Sequence, residues 1–189
     1  MISFIKQNKV FSILIILTIL SLIAGFIFYA KLDNESRIIV SNNIQKVLQE
    51  KESNLLQYTT DNMIKTFLIW ILGISILGLP LILIIYLYST FIFSFELCAM
   101  IETLGIKKII CILLYSLPRL IMIGSMFFLC FYAIHFSIYL FKYLFLHKDL
   151  PFLKIMNRYK RIYLYTIVGL ILSIMLEFIN KNYLLKIFY

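Results

Sequence analysis

Long uncharged blocks alternate with short charged segments along the chain. The longest block, residues 66–95, runs for 30 residues without a charge. As one straight helix it would be about 45 Å long, against about 30 Å for the hydrocarbon core of a bilayer, and tilt alone cannot absorb that difference. The apolar region must therefore bend or turn back, and the Leu-Pro steps at Pro80 and Pro118 are where the backbone can do so. The pattern predicts a membrane protein with interrupted helices.

The apolar blocks predict an all-α fold, a single integral membrane domain of about five transmembrane helices. The predicted spans cover residues 10–30, 66–79, 80–104, 120–141 and 162–179. Residues 109–117 are too few to cross a bilayer and are interpreted as a half-helix. An alternative places the third span across residues 90–114, which is disfavoured because it buries Lys107 and Lys108. A signal peptide at residues 10–30 is also disfavoured, because the block is long and no small-residue cleavage pattern follows it.

Charge placement predicts the orientation. Lys6 and Lys9 precede the first span without any acid, and residues 142–161 carry six basic groups against Asp149 alone. Residues 31–65 carry five basic and five acidic groups. Since basic flanks stay in the cytoplasm, the N-terminus and a basic loop at 142–161 are predicted inside and the C-terminus outside.

The balanced segment at residues 32–63 is therefore predicted to lie outside the cell membrane. It contains no Pro or Gly, and apolar residues recur at roughly helical spacing at Val40, Ile44, Val47, Leu48 and Leu55. The spacing predicts an amphipathic helix whose apolar stripe rests on the membrane, on the bundle or on a partner.

Composition excludes several classes of function. Hydrophobic residues make up 62% of the chain, so a bilayer must be its solvent, and the protein is expected to be a multi-pass protein of the cell membrane. The net charge of +9 flanks the spans, which favours lipid headgroups over nucleic acid as partners. No catalytic motif or metal-ligand set is found, so we expect no enzyme activity, no metal and no cofactor. Cys98, Cys111 and Cys130 lie in apolar segments and are expected to be packing residues without disulfides.

Two sets of residues are predicted to shape the bundle. Thr90, Ser94 and Cys98 form a small-residue stripe that permits close helix packing, either within the bundle or with a partner, including a second copy of the chain. The proline steps predict either packing kinks or paired interrupted helices around a binding or transport site. The residues expected at the bends are Gly73, Gly78, Pro80, Gly105 and Pro118.

Four polar residues fall near membrane depth: Glu96, Arg119, His135 and Glu177. Glu96 is expected to face the interior, to be protonated, or to pair with a cation such as Lys107 or Arg119, since a lone charge in lipid is costly. A structural role is the main prediction, and a proton or coupling-ion role is the alternative. His135 is expected to make structural hydrogen bonds.

The stretch at residues 70–83, Trp-Ile-Leu-Gly-Ile-Ser-Ile-Leu-Gly-Leu-Pro-Leu-Ile-Leu, resembles the signature of the stage II sporulation protein M family. The resemblance continues at residues 90–98, 104–105, 115–118 and 135–138, and at Glu177. Arg119-Leu120 departs from the Gln-Asn that is usual in the family after the second proline.

The resemblance implies a membrane scaffold for engulfment during endospore formation. In that family the protein works with two proteins that degrade septal peptidoglycan, stage II sporulation proteins P and D. The family also resembles permease subunits of some ABC-type exporters, so a transport component is the alternative.

Overall fold

The computed structural model describes residues 9–49, 53–105, 109–145 and 152–188, and within these ranges the chain is helical with short connections and no strand. The described helices are α1 (Lys9–Ala30), α2 (Asn34–Gln49), α3 (Ser53–Gly73), α4 (Leu79–Leu104), α5 (Ile109–Phe145) and α6 (Phe152–Phe188). The predicted all-α helix bundle is confirmed.

Four of the described helices are long and apolar enough to cross a membrane: α1, α4, α5 and residues 152–180 of α6. The fifth predicted pass corresponds to α3, which is apolar only in its second half. The predicted count of five therefore depends on whether α3 crosses.

Side-chain contacts fix the directions of α1, α4 and α5. The Thr18 and Tyr86 hydroxyls lie 3.0 Å apart, and Ser94 donates a hydrogen bond to the Leu22 carbonyl at 2.5 Å, so α1 and α4 run parallel. Phe127 of α5 packs edge-on against both Phe11 and Tyr86, with centroid distances of 5.4 and 6.1 Å. Phe127, in the middle of α5, thus packs near the starts of α1 and α4, whereas the start of α5 lies beside the end of α4. α5 therefore runs antiparallel to α1 and α4.

α3 and α6 complete the bundle on the other side of α5. Near the start of α3, Tyr58 lies 2.7 Å from the Ser173 hydroxyl of α6. Near its end, Trp70 stacks on Tyr163 with ring centroids 4.7 Å apart. α3 and α6 are therefore antiparallel, and most of α3 lies beside the segments of α5 and α6 that are apolar enough to span. This arrangement supports a fifth pass.

The helix directions sort the charged segments between the two ends of the bundle. One end, which we call the basic end, gathers the starts of α1, α4 and α6 with the ends of α3 and α5. The opposite end, which we call the α2 end, holds α2, the start of α3 and Gly105. The start of α1, the end of α5 and the start of α6, which belong to the segments predicted to face the cytoplasm, thus lie at the same end, and α2 lies at the other. The orientation of these ends in the membrane stays a prediction.

The surface of the bundle suits lipid. Leu77, Ile84 and Phe26 are 85%, 61% and 61% exposed, and similar large apolar side chains line the outside of α1, α4 and α6. The interior contains fully buried small polar groups as well as apolar ones, including Thr90, Ser137 and Ser173. Large apolar side chains outside and small polar ones inside reverse the usual arrangement of a water-soluble protein, as expected when lipid is the solvent.

The turn between α3 and α4 occupies residues 74–78. Gly78 caps α4 and Pro80 occupies its first turn, where a missing N–H costs nothing. A Cβ on Gly78 would collide with the Leu72 carbonyl oxygen, so the close return of the chain needs glycine. Two hydroxyls from other helices satisfy carbonyls at this turn: Ser137 bonds the Ser75 oxygen at 3.1 Å and Tyr159 bonds the Trp70 oxygen at 2.8 Å.

The predicted helix at 66–79 was placed wrongly. α3 ends at Gly73 and begins at Ser53, inside the segment that we expected to be one amphipathic stretch at 32–63. In the described part of that segment, residues 34–49 form α2 and residues 53–63 form the first half of α3. The helix continues without interruption through Lys65 because its polar first half and its apolar second half pack against the same neighbours, α5 and α6.

The predicted half-helix at 109–117 is also wrong, because α5 continues through Pro118. Proline has no N–H, so the Leu114 carbonyl loses its normal helical partner. The Asn180 amide of α6 donates to that carbonyl, and the Ser173 hydroxyl donates to the Pro118 carbonyl at 2.8 Å. The Asn180 bond replaces the one that the proline removes, and the Ser173 bond adds a second contact from α6 beside it, which allows the proline inside a long helix.

The predicted basic loop at 142–161 is helical in its described parts. Residues 142–145 extend α5 and residues 152–161 begin α6, while 146–151 lie outside the described residues. Aromatic pairs hold the two arms together: Phe136 stacks on Tyr159 at 4.6 Å, and Tyr143 stacks on Phe152 at 5.5 Å. The loop was predicted because the segment is rich in basic residues, whereas its aromatic residues pack the two helices together.

We predict that Asn180→Leu lowers the free energy of unfolding by about 1–2 kcal/mol, because the Leu114 carbonyl is left without a donor. In a Pro118→Ala background the same substitution costs much less, since the alanine restores the helical N–H. Steric trapping in bicelles measures both backgrounds. An equal cost in the two backgrounds would contradict this account of α5.

Candidate functional site

A polar cluster joins α3, α4, α5 and α6 towards the α2 end of the bundle. Its central contact is an ion pair, with Arg119 Nε 3.3 Å from Glu96 Oε2. The Arg119 side chain is 15% exposed and that of Glu96 is 35% exposed. Of the two cations considered as partners for Glu96, Arg119 is the one found, and Lys107 lies outside the described residues.

Aromatic rings hold the guanidinium in place. The Arg119 Cζ atom lies 3.6 Å from the centroid of the Tyr115 ring, one helical turn earlier on α5, and 5.9 Å from that of Tyr58 on α3. Stacking on an aromatic face suits arginine because its planar cation is weakly hydrated. The cation is therefore fixed between three helices rather than left mobile.

Hydroxyl groups connect the ion pair to α6. Tyr58 shares a hydrogen bond with Ser173, which itself donates to the Pro118 carbonyl. Tyr58 is also within electrostatic range of Arg119, Glu96 and Glu177. The backbone adjustment at Pro118 and the ion pair at Arg119 thus belong to one connected network.

Glu177 lies on α6 and is only 4% exposed. Because the last span is predicted to end at residue 179, a carboxyl two residues earlier would ordinarily be solvated; the structure buries it instead. Since α6 continues to Phe188, Glu177 lies well before its end. The network therefore contains two carboxyl groups, Glu96 and Glu177, and one guanidinium.

A cavity of about 250 Å³ lies between α3, α4 and α5 beside the ion pair. Its polar lining residues are Tyr58, Asp61, Asn62, Lys65, Ser89, Glu96 and Arg119. Apolar side chains line the rest: Ile92, Phe93, Met122, Ile123 and Met126. The cavity can hold water or a small polar molecule at a depth where the surrounding surface is apolar.

The small-residue stripe of α4 faces α1. Thr90 donates to the Ser21 hydroxyl at 2.8 Å, and Ser21 donates to the Leu87 carbonyl at 2.6 Å. A Cβ on Gly25 would lie 2.5 Å from the Phe91 carbonyl oxygen, which shows how closely the two backbones approach. Cys98 lies farther along α4, near Tyr29. The structure thus places the stripe inside the bundle.

The remaining predicted residues lie away from the polar cluster. His135 packs edge-on against Phe131 at 4.6 Å near the basic end, so the structure does not bring it to Glu96. Gly73 is pressed against Tyr159 and Ala133 at the end of α3. Gly105 ends α4 with a φ of +73°, a conformation that favours glycine, and a side chain there would enter open space.

Sequence reasoning missed Tyr58, Ser173 and Asn180. A signal for two of them was present, since Thr166, Ser173, Glu177 and Asn180 recur on one face of an otherwise apolar helix at steps of seven, four and three residues. All four are buried. No such signal marks Tyr58, because its neighbours in sequence are polar.

The described residues contain no group of three His, Cys, Asp or Glu side chains that could hold a metal ion. Their cysteines, Cys98, Cys111 and Cys130, are free thiols. The arrangement of one ion pair, stacked rings and hydroxyl bridges can join helices, bind water or stabilise a charge.

A bundle with four helices of membrane-spanning length and a polar network between them defines a polytopic helical membrane protein. The chain belongs to the Stage II sporulation protein M family, whose model matches residues 13–179. The resemblance noted in the sequence is thereby confirmed, and the chain is a sporulation-related membrane protein. Searches of curated proteins and of solved structures gave no match.

We predict that the Arg119–Glu96 pair contributes a coupling energy of about 1–2 kcal/mol in a double-mutant cycle of Arg119→Met and Glu96→Gln, because the pair is stacked and partly withdrawn from solvent. The matched control is Arg37–Glu102, whose atoms are 3.8 Å apart and whose side chains are 32% and 49% exposed. That exposed pair is expected to couple by less than about 0.5 kcal/mol. Equal coupling in the two pairs would contradict a structural role for the cluster.

Proposed function

We propose that the protein is a non-enzymatic scaffold of the engulfment machinery, which anchors and localises peptidoglycan-degrading partners at the septal cell membrane. Membership of the Stage II sporulation protein M family supports this role. The partners proposed through that family are stage II sporulation proteins P and D. In the proposed orientation the chain crosses the membrane five times, with the N-terminus inside and the C-terminus outside.

The observation that carries the proposal is a surface at the α2 end, formed by α2 and the first turn of α3, which we call the α2 platform. Asp33 precedes α2, and a hydrogen bond from the Ser36 side chain lowers the pKa of its carboxyl. Arg37 donates to the carbonyls of Leu32 and Ala30 at 3.1 and 2.7 Å. These bonds close the corner between α1 and α2, so α2 is held against the bundle.

The outer surface of α2 is available for a partner. Val40 and Ile44 are half-buried, while Ile38 and Ile39 are each 60% exposed on the other side of the helix. Leu56, at the start of α3, is 72% exposed. In the proposed orientation these apolar side chains face the space between the septal membranes, where the peptidoglycan-degrading partners act.

The test is capture of the two partner proteins by the tagged full-length chain from sporulating cells. We predict that Ile38→Asp with Ile39→Asp reduces recovery of both partners at least tenfold, because charged groups replace the apolar contact surface. The matched control is Asn42→Asp with Asn43→Asp, which adds the same charge to the same exposed side of α2 and should preserve capture. Recovery of neither partner by the wild-type chain, with normal engulfment in a deletion strain, would overturn the scaffold proposal.

The second candidate is a permease-like subunit of an ABC-type or related transporter. The polar cavity favours it, because Asp61, Lys65, Glu96 and Arg119 surround a space inside the bundle. In addition, Arg119 Nη1 is buried without a hydrogen-bond partner among the described residues.

Two substitutions separate the candidates. A transport role predicts that Glu96→Gln and Arg119→Ala abolish function although partner capture survives. A scaffold role predicts that both variants, when folded, still support engulfment in the deletion strain. Normal engulfment measured by membrane-dye microscopy therefore argues against transport through this cavity.

A further inference from the structure

A second and larger cavity, of about 570 Å³, lies between α5 and α6 towards the basic end. α6 contributes three cations, Lys154, Arg158 and Arg161, to its lining. α5 contributes the aromatic and hydroxyl groups of Ser125, Phe128 and Tyr132, and α6 adds Ile162, Tyr165 and Thr166. No carboxylate is among the described lining residues. We refer to this cavity as the basic groove.

The cations of the basic groove share one face of α6. Lys154, Arg158 and Arg161 are separated by four and three residues, so their side chains project in one direction over two helical turns. Tyr165, four residues farther on, continues the same face. The remaining cation of the same segment, Lys160, does not line the groove.

Arg158 is positioned by an aromatic residue of α5. Its Nη2 atom lies 3.5 Å from the Tyr132 hydroxyl, and its Cζ atom lies 5.4 Å from the centroid of the Tyr132 ring. Neither contact neutralises the guanidinium. The groove therefore holds concentrated positive charge available to an anion.

The depth of Arg158 follows from its neighbours. Phe131, adjacent to Tyr132, packs against Phe11 with ring centroids 5.5 Å apart, and Phe11 lies two residues after Lys9 at the start of α1. The start of a membrane span marks the boundary between hydrocarbon and headgroups. Arg158 therefore lies at headgroup level.

The deeper part of the basic groove opens towards lipid. Phe128 and Tyr165 are 56% and 71% exposed, and both lie farther from the basic end than Arg158. A molecule that fills the groove would contact cations at one end and aromatic side chains facing hydrocarbon at the other.

We propose that the basic groove binds one anionic phospholipid of the leaflet at the basic end. Its phosphate lies against Arg158 and Arg161, with Lys154 at the rim, and its acyl chains run along Phe128 and Tyr165. Charge complementarity selects an anionic headgroup, and the lateral apolar surface selects a lipid over a soluble anion. This site is independent of the scaffold role, because it lies at the end of the bundle opposite to the α2 platform.

The test uses the delipidated full-length protein in detergent, titrated with dioleoylphosphatidylglycerol and measured by native mass spectrometry. We predict that Arg158→Gln with Arg161→Gln weakens the first binding step at least tenfold, as expected for the loss of two interfacial cations. Lys142→Gln with Lys160→Gln removes the same charge from the same end outside the groove and should stay within about threefold of the wild type. If the first variant does not fold, Lys154→Gln with Arg161→Gln keeps the Arg158–Tyr132 contact and gives the same comparison.

Two further titrations identify the ligand. Dioleoylphosphatidylcholine should bind the wild-type protein at least tenfold more weakly than the anionic lipid, and millimolar inorganic phosphate should leave the lipid bound. If Lys142→Gln with Lys160→Gln weakened lipid binding as much as Arg158→Gln with Arg161→Gln, the groove would not be a specific site and the proposal would be overturned. Full displacement by inorganic phosphate would show a soluble-anion site, and equal binding of phosphatidylcholine would show a hydrophobic crevice without headgroup selection; either result contradicts the proposal.

Discussion

The structure depends on the requirement that a backbone carbonyl released inside a membrane finds a new donor. At the end of α3, where the chain leaves the helix, the Tyr159 hydroxyl of α6 bonds the Trp70 carbonyl. At the proline in α5, the Asn180 amide of α6 bonds the Leu114 carbonyl, which has lost its helical donor. Hydroxyls of Ser137 and Ser173 add bonds to the Ser75 and Pro118 carbonyls beside these two places. In each case the donor comes from a different helix than the acceptor, so satisfying the backbone also fixes which helices are neighbours.

The same requirement places the polar network. Ser173 serves both the Pro118 carbonyl and the Tyr58 hydroxyl, and Tyr58 lies beside Arg119, the residue that follows the proline. The polar groups that pack around Pro118 therefore also surround the charge of Arg119, the next residue.

Much of the fold could be predicted from the sequence, because long uncharged blocks and flanking cations report directly on the cost of placing charge in lipid. The Pro80 turn was predictable, since Gly78 and proline begin a helix in an ordinary way. Pro118 was not, because its outcome depends on Asn180, 62 positions later. The pairing of Glu96 with Arg119 was within reach of the pattern, whereas the burial of Glu177 depends on how far α6 extends. The α2 platform was visible only as an amphipathic segment, since the pattern did not show which apolar residues the bundle covers.

The central claim is that five passes place α2 and the C-terminal end of α6 on one side of the membrane and the hairpin of α5 and α6 on the other. Single cysteines at Asn43 and at Asn157, in a chain without its native cysteines, test it most directly with a membrane-impermeant maleimide. The account predicts that Asn43→Cys is labelled in intact protoplasts and that Asn157→Cys is labelled only after the membrane is permeabilised. Labelling of both positions from one side, or of Asn157→Cys alone in intact protoplasts, would contradict it.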